Sequence, residues 1–370
     1  MQQHTGDQLS GDLPRTWRRW EAGTEPRKYY KALIAATFET VTDAIFGNPA
    51  GAALSTGAEP DTLELITSVR RSDLDAASLE TLGITVDRLC SAYRSSDPVS
   101  LRQEARDWLR RLTALLESRL SLTQHREILV QAGWLALLVS CLENDLCMSG
   151  AAEATRRAAL SLGDEAAHPE IVGWAYEIAA WQSLTAGDYR AVLATADRGL
   201  SATQTSGAAV QLHGQRAKAF GRLGDADGVR QALEASRRLI ESLPYPTNTA
   251  HHFAVDPNKW NFYAADTYRC LGHTQLANQY ANEVIAASTA PDGTVLAPMR
   301  IAEVRVSLGI LAARDGDLDR AHAQGMAALN IERQSLPSLR LVAYELAGEL
   351  EARFSGHTLS RDYRARLRSL

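Results

Sequence analysis

The sequence is poor in the residues on which disulfide frameworks and zinc sites depend. It has four cysteines among 370 residues, and none forms a Cys-x-x-Cys pair. All four fall in segments with a helical pattern, where we expect inert, buried thiols in a reduced, cytoplasmic protein. Residues 1–13 lack the basic head and apolar run of a secretory signal. The cysteines are Cys90, Cys141, Cys147 and Cys270.

Long apolar runs and a strong net charge are also missing. The longest uncharged apolar stretch, residues 128–142, is shorter than the roughly 20 residues that a membrane-spanning helix needs. We therefore expect no membrane partner. A formal net charge of −5 gives no overall attraction to nucleic acid. Any DNA contact must then come from a local basic patch.

The common enzyme motifs are absent. The sequence contains no Walker A, His-Glu-x-x-His, Gly-x-Ser-x-Gly or Gly-x-Gly-x-x-Gly pattern. His251 and His252 lie in a loop without partners at metal-ligand spacing, so we expect them to be solvated. No catalytic residue, metal or cofactor is predicted, and the protein is not expected to be an enzyme.

The second half of the chain carries a repeat marked by glycine. Gly187, Gly224 and Gly316 are each followed by aspartate, and Gly272 is followed by histidine. A glycine can end a helix in the left-handed conformation, and the aspartate can cap the next helix. Seven residues before each glycine lies a small residue, where two paired helices would cross most closely. These small residues are Ala180, Ala217, Ala265 and Gly309.

This pattern resembles the tetratricopeptide repeat, although its spacings of 37, 48 and 44 residues exceed that repeat's 34. Residues 187–200, GDYRAVLATADRGL, are most similar to its turn and second helix. Helical periodicity continues upstream over 79–94, 100–120, 123–146 and 151–163. The predicted fold is therefore all-α, a tetratricopeptide-like helical-repeat solenoid, with inter-repeat loops at 244–256 and 290–298.

The N-terminal piece differs from the repeat. Residues 15–23, RTWRRWEAG, resemble the recognition helix and following turn of Cro/repressor-type helix-turn-helix regulators of the xenobiotic-response-element family. Members of that family share a pattern at this place: Arg-Thr, a hydrophobic residue, a variable residue, Arg-Trp-Glu, a variable residue and Gly. The resemblance implies DNA contacts in the major groove. The implied DNA-binding residues are Arg15, Thr16, Arg18, Arg19 and Lys28. A solvated basic helix is the alternative.

The resemblance extends into the repeat. Residues 125–146, 256–272 and 333–346 are similar to the helical-repeat sensor region of actinobacterial members of that family. Only about twelve residues precede Leu13, so we expect an incomplete helix-turn-helix head. The predicted organisation is a partial head over 1–47, a linker over 48–60, and a sensor or interaction domain over 61–370.

The first helix of each tetratricopeptide unit lines a concave groove, and its inward positions can be counted back from the turn glycine. We predict that these side chains bind a small ligand or an extended peptide. The predicted ligand-binding residues are Trp174, Glu177, Trp181, Gln211, Lys218, Lys259, Phe262, Asp266 and Arg269. The alternatives are that the tryptophans pack between repeats and that Lys259, Asp266 and Arg269 pair across a solvated surface.

Two interpretations of function stay open. In the first, the protein is a transcriptional regulator whose repeat domain senses a ligand and controls DNA binding. A homodimer is then expected, because paired half-sites need paired heads. In the second, it is a stand-alone protein–protein interaction scaffold without autonomous DNA binding.

Overall fold

Helices follow one another along residues 74–370, which a computed structural model describes together with Arg18 and Trp20. The chain divides into two compact units, Met1–Arg70 and Arg71–Leu370. The predicted head over 1–47 and linker over 48–60 lie outside the described residues, apart from Arg18 and Trp20. Of the predicted DNA-binding residues, Arg15, Thr16, Arg19 and Lys28 also lie outside them.

The helices of residues 74–370 are numbered in chain order. They are α1 (Ala76–Ala92), α2 (Pro98–Leu116), α3 (Leu122–Asp145), α4 (Ser149–Glu165), α5 (Pro169–Thr185), α6 (Tyr189–Ala202), α7 (Gly207–Leu223), α8 (Ala226–Ser242), α9 (Asn258–Cys270), α10 (Thr274–Ala287), α11 (Pro298–Arg314), α12 (Leu318–Leu329), α13 (Leu336–Arg353) and α14 (Thr358–Arg368). Consecutive helices pack as pairs. In this part of the chain the only β contact is one isolated bridge, between Thr289 and Val295. The prediction of an all-α helical-repeat solenoid is confirmed.

The predicted turn glycines end one helix and allow the next to begin. Gly187, Gly224, Gly272 and Gly316 all have positive φ, a conformation that strains other residues. At the first turn, the amide of Asp188 donates to the carbonyl of Ser183 at 3.0 Å, which closes a Schellman motif. The Asp188 side chain then accepts from the amide of Ala191 at 3.0 Å, which caps α6.

Small residues lie where paired helices cross, as predicted. Ala180, Ala217 and Ala265 are buried. At Gly309 of α11 a Cβ would lie 3.1 Å from the carbonyl oxygen of Ala321 on the paired helix α12. Side chains larger than these would force the paired helices apart.

The last helix pair returns to the beginning of the solenoid. Helix α13 packs against α11, two helices earlier in the chain, and also contacts α3 and α5. Nε1 of Trp181 on α5 donates to Oγ of Ser338 at 2.7 Å. Arg333, just before α13, pairs with Asp145 at the end of α3 at 2.7 Å. The concave side of the solenoid is therefore covered by a helix of the same chain.

Helix α3 contains a long apolar segment. By length and composition it could cross a membrane, but 78% of its most apolar window is buried within the protein. Such burial is typical of the core helix of a soluble protein, so this helix is weak evidence for a membrane span. The sequence-based expectation of a buried helix agrees with this packing.

A substitution at Gly214 tests the close packing of α7 on α9. An added Cβ would lie 2.4 Å from the ring of Tyr263, which is buried and has little room to move. We expect Gly214→Ala to lower the free energy of unfolding by about 1–3 kcal/mol. Gly348 in α13 is the control, because no atom lies within 4 Å of its added Cβ. Gly348→Ala should stabilise by about 0.5–1 kcal/mol. Urea unfolding measures both; a loss as large at Gly348 would contradict the packing.

Candidate functional site

A cavity of about 150 Å³ lies inside the closed solenoid. A cavity of about this size can hold a benzene ring. Side chains from α3, α5, α7, α9, α11 and α13 line it, together with residues of four connecting segments. The lining residues are Tyr93, Arg94, Cys141, Trp174, Glu177, Trp181, Gln211, Gln215, Lys218, His252, Lys259, Phe262, Tyr263, Ala297, Met299, Arg300, Glu303, Ser335 and Ser338.

Seven of the nine predicted ligand-binding residues line this cavity. They are Trp174, Glu177, Trp181, Gln211, Lys218, Lys259 and Phe262. Helical spacing before each turn glycine places them on the same inner face of α5, α7 and α9. That they bind a ligand stays a prediction.

The apolar wall of the cavity is built partly by the loop between α8 and α9. Phe253 of this loop packs edge-on against Trp174, with ring centroids 5.1 Å apart. The rings of His252 and Tyr93 have centroids 3.8 Å apart. Burial holds the pKa of His252 well below its usual value. The expectation that the loop histidines are solvated is wrong for His252, because the loop folds inward onto the end of α1.

Two lysines lie over aromatic rings in the cavity. Nζ of Lys218 is 4.7 Å from the ring centroid of Phe262 and 3.3 Å from a carboxylate oxygen of Glu303. Nζ of Lys259 is 5.5 Å from the ring centroid of Trp174. Both positions allow attraction between the cation and the aromatic face. Lys218 thus has a carboxylate partner inside the cavity.

Lys259 is buried without an ion-pair partner of its own. Its side chain donates to the carbonyl of His252 at 3.4 Å. Among the residues that the structure describes, no carboxylate oxygen lies within 4 Å of its Nζ. Burial, reinforced by the nearby charge of Arg300, lowers the pKa of Lys259 to about 7.

Arg94 and Arg300 approach the same carboxylate behind Lys259. Nη2 of Arg300 lies 3.2 Å from Asp256, and Nη2 of Arg94 lies 3.9 Å from it. The Arg94 Nη2 atom has no hydrogen-bond partner among the described residues. This end of the cavity therefore holds three cationic groups around one carboxylate.

Two glutamines of α7 bring polar atoms to the cavity. Nε2 of Gln215 donates to Oε1 of Glu177 at 2.7 Å. Burial raises the pKa of Glu177. The Oε1 atoms of Gln211 and Gln215 are buried and find no hydrogen-bond partner in the part of the chain that the structure describes. They are free to accept hydrogen bonds from a ligand.

Asp266 and Arg269, the other two predicted residues, do not line the cavity. Asp266 pairs with Arg222 at 2.6 Å and with Arg269 at 2.7 Å. Glu345 of α13 accepts from Arg222 at 3.0 Å and from Arg269 at 2.6 Å. All but Glu345 have side chains less than a tenth exposed. Asp266 and Arg269 therefore pair, as in the alternative interpretation, but without Lys259 and in a buried cluster rather than across a solvated surface, because α13 covers the C-terminal ends of α7 and α9.

Several cavity residues could not be identified from the repeat. Arg94 lies in the turn after α1, Arg300 lies in the first turn of α11, and Ser338 comes from α13. Only the return of α13 and the inward fold of the α8–α9 loop bring such residues together. Cys147 is a further correction, because it is exposed in the turn after α3 rather than buried in a helix.

Comparison with known proteins adds no relative. The sequence matches no protein-family model and has no significant match among curated proteins. Within the described residues, no group of three or more His, Cys, Asp or Glu side chains is placed to hold a metal ion. The candidate site is thus defined by the cavity alone.

The buried ion cluster of Arg222, Asp266, Arg269 and Glu345 makes a stability prediction. Asp266→Asn leaves two arginines short of a charge partner and should lower the free energy of unfolding by about 3–5 kcal/mol. The control is Asp227→Asn, which removes an exposed pair with Arg230 and should cost less than about 1 kcal/mol.

The same cluster predicts a pH dependence. Despite burial, Arg222 and Arg269 hold the pKa of Asp266 well below its usual value. Its contribution to stability is thus present above the unfolded-state pKa of about 3.9 and is lost as the pH falls further. Chemical unfolding over an acid pH series should show a smaller loss in Asp266→Asn than in the parent chain. An equal loss would contradict the pairing.

Lys259→Met should stabilise the protein at neutral pH, by about 1–4 kcal/mol, because a buried cation is replaced by an apolar chain. The lowered pKa means that between about pH 7 and pH 10 the unfolded lysine binds a proton that the folded one does not. The parent chain therefore gains stability as the pH rises, and the advantage of the variant should shrink. Lys218→Met, which strands Glu303, should destabilise instead. Urea unfolding at several pH values decides; a destabilised Lys259→Met would contradict the prediction.

Proposed function

We propose that the protein is a ligand-responsive transcriptional regulator. Residues 74–370 act as its small-molecule sensor, and the basic N-terminal segment acts as its DNA-binding part. The observation that carries the proposal is the cavity inside the solenoid, which combines aromatic walls with charged groups from several helices. The proposal also rests on the resemblance of residues 15–23 to a recognition helix.

The closure of the solenoid favours a compact ligand over an extended peptide. A peptide bound in the manner of a tetratricopeptide groove needs an open concave face. Here α13 lies on that face, held through Ser338 to Trp181 and through Glu345 to Arg222 and Arg269. A compound of the size of the cavity needs no displacement of α13.

The placement of the cavity supports a sensing role. Its walls come from α5, α7, α9 and α11, from α13 and from the α8–α9 loop, so one ligand would touch elements that are far apart in sequence. A ligand shifts a conformational equilibrium by its difference in affinity for the two states. Contacts to many elements at once give such a ligand the means to favour one packing of the solenoid.

The DNA-binding part of the proposal depends on the basic segment. Arg18 is helical and exposed, as a residue that reaches DNA must be. Binding as a homodimer would present two such helices to paired half-sites. The scaffold interpretation, without autonomous DNA binding, is the alternative outcome of the experiment below.

The experiment measures binding of the full chain to duplex DNA from upstream of its own coding sequence, by fluorescence anisotropy over a salt series. Each phosphate contact contributes about −0.9 to the log–log slope. Replacing Arg18 and Arg19 with alanine should flatten the slope by about two contacts and remove sequence preference. The matched control replaces Arg237 and Arg238, two adjacent arginines of α8 with side chains 49% and 74% exposed.

Two results would contradict the regulator. One is the absence of salt-dependent binding to any duplex from that region. The other is an equal change of DNA affinity and salt slope in the control variant, which would show that binding depends on net charge alone. Either result favours the scaffold. The sensor part is tested by a thermal-shift screen of small molecules, in which a stabilising compound should also change the affinity for DNA.

A further inference from the structure

More cationic than anionic side chains line the cavity. Four cationic side chains line it, Arg94, Lys218, Lys259 and Arg300, against two carboxylates, Glu177 and Glu303. Lys218 and Glu303 pair with each other, and Asp256 behind the wall approaches both arginines. Lys259 is thus a lining cation that has no salt bridge among the described residues and feels Glu177 and Asp256 only at longer range, and the Nη2 atom of Arg94 lacks a hydrogen-bond partner there.

This charge lies beside an aromatic wall. Nζ of Lys259 is 5.5 Å from the ring centroid of Trp174, whose side chain is almost fully buried. A ring in this part of the cavity can carry a substituent to the lysine. Guanidinium and ammonium groups bind carboxylates through short, charge-assisted hydrogen bonds. The volume of about 150 Å³ suits a single ring.

The part of the cavity lined by Gln211 and Gln215 has hydrogen-bond acceptors without donors. Gln211 and Gln215 are each 6% exposed, and their Oε1 atoms have no partner among the described residues. A buried acceptor without a partner is costly, and a ligand hydroxyl would satisfy it. A carboxylate at one end and a hydroxyl elsewhere on the ring match these two features.

We propose that the cavity binds a small aromatic carboxylate that carries a ring hydroxyl, with the carboxylate at Lys259, Arg94 and Arg300 and the ring against Trp174. This inference rests on the proposed sensor function and gives its ligand a chemical class. A neutral or cationic ring of the same size lacks the charge that Lys259 matches. The hydroxyl meets the glutamine acceptors.

The first measurement compares acids with their amides. Isothermal titration of the full chain uses benzoate, 3- and 4-hydroxybenzoate, the corresponding benzamides as neutral isosteres, and benzylamine as a cationic ring. The acids should bind at least about tenfold more tightly. K259M should remove this preference while it still binds the amides, which shows that the cavity is intact. R305M is the control, because Arg305 is on α11 but bonds to Gln324 outside the cavity, and its preference should stay within about twofold of the parent's.

Proton uptake gives a readout that a structural role would not produce. Lys259 is faced by Glu177 from α5, Cys141 from α3, Arg300 from α11, Arg94 from the turn after α1, and His251, His252 and Asp256 from the α8–α9 loop. With the Lys259 pKa near 7, an arriving carboxylate should draw a proton onto the amine at about pH 8. Titrations in two buffers of different ionisation enthalpy should show uptake approaching one proton in the parent chain and much less in K259M.

The outcomes separate the ligand class from the sensor function. Equal affinity for acids and amides, or unchanged preference in K259M, overturns the carboxylate. Equal affinity for benzoate and both hydroxybenzoates overturns the hydroxyl. If neutral or cationic rings bind in the cavity and the acids do not, the class is wrong and the sensor stands. If no compound of any charge binds at millimolar concentration, both proposals fail.

Discussion

The return of α13 to the first helices of the solenoid is the constraint on which the rest of the structure depends. A row of helix pairs buries each pair against its neighbours and leaves the inner face of the first helix of every pair open. Here Ser338 and Glu345 of α13 close that face on α5, α7 and α9. Closure turns a groove into an interior, and side chains that would otherwise meet water must pair or stay unsatisfied.

That interior has two parts with different chemistry. Near the C-terminal ends of α7 and α9, Arg222, Asp266, Arg269 and Glu345 satisfy one another, so this part is a buried ion cluster. Near the N-terminal ends, Lys259 has no carboxylate oxygen within 4 Å among the described residues, and two glutamine oxygens are unpartnered there. Desolvated groups without partners cost stability, and such costs gather at functional sites.

The difference between the two parts explains why the cavity, and not the ion cluster, is the candidate site. Fully paired charges specify how α13 docks, and a ligand could gain little from them. The incompletely paired groups around Lys259 can gain much from a ligand of complementary charge. Because α13 and the α8–α9 loop both contribute to the walls, occupation of the cavity and docking of α13 are physically connected. A sensor needs such a connection between its ligand and the packing of its helices.

Local sequence determined much of this protein. The Gly-Asp dipeptides end and start helices through left-handed glycines and aspartate caps, and small residues at fixed distances before them mark the helix crossings. The same spacing placed Trp174, Glu177 and Lys259 on inward faces correctly, since helical period alone decides which face a residue occupies.

The tertiary structure alone decided what those inward faces meet. Helical period treats Lys259 and Asp266 alike, because both lie on the inner face of α9. Arg222 of α7 and Glu345 of α13 made Asp266 and Arg269 part of an ion cluster, whereas Lys259 lies in a cavity. Likewise, Arg94 and His252 reach the cavity through a turn and a loop that have no repeat pattern. Contacts between residues so far apart in sequence depend on how the solenoid curves and closes. Its curvature is the sum of many small packing angles between helices, and no local motif determines that sum.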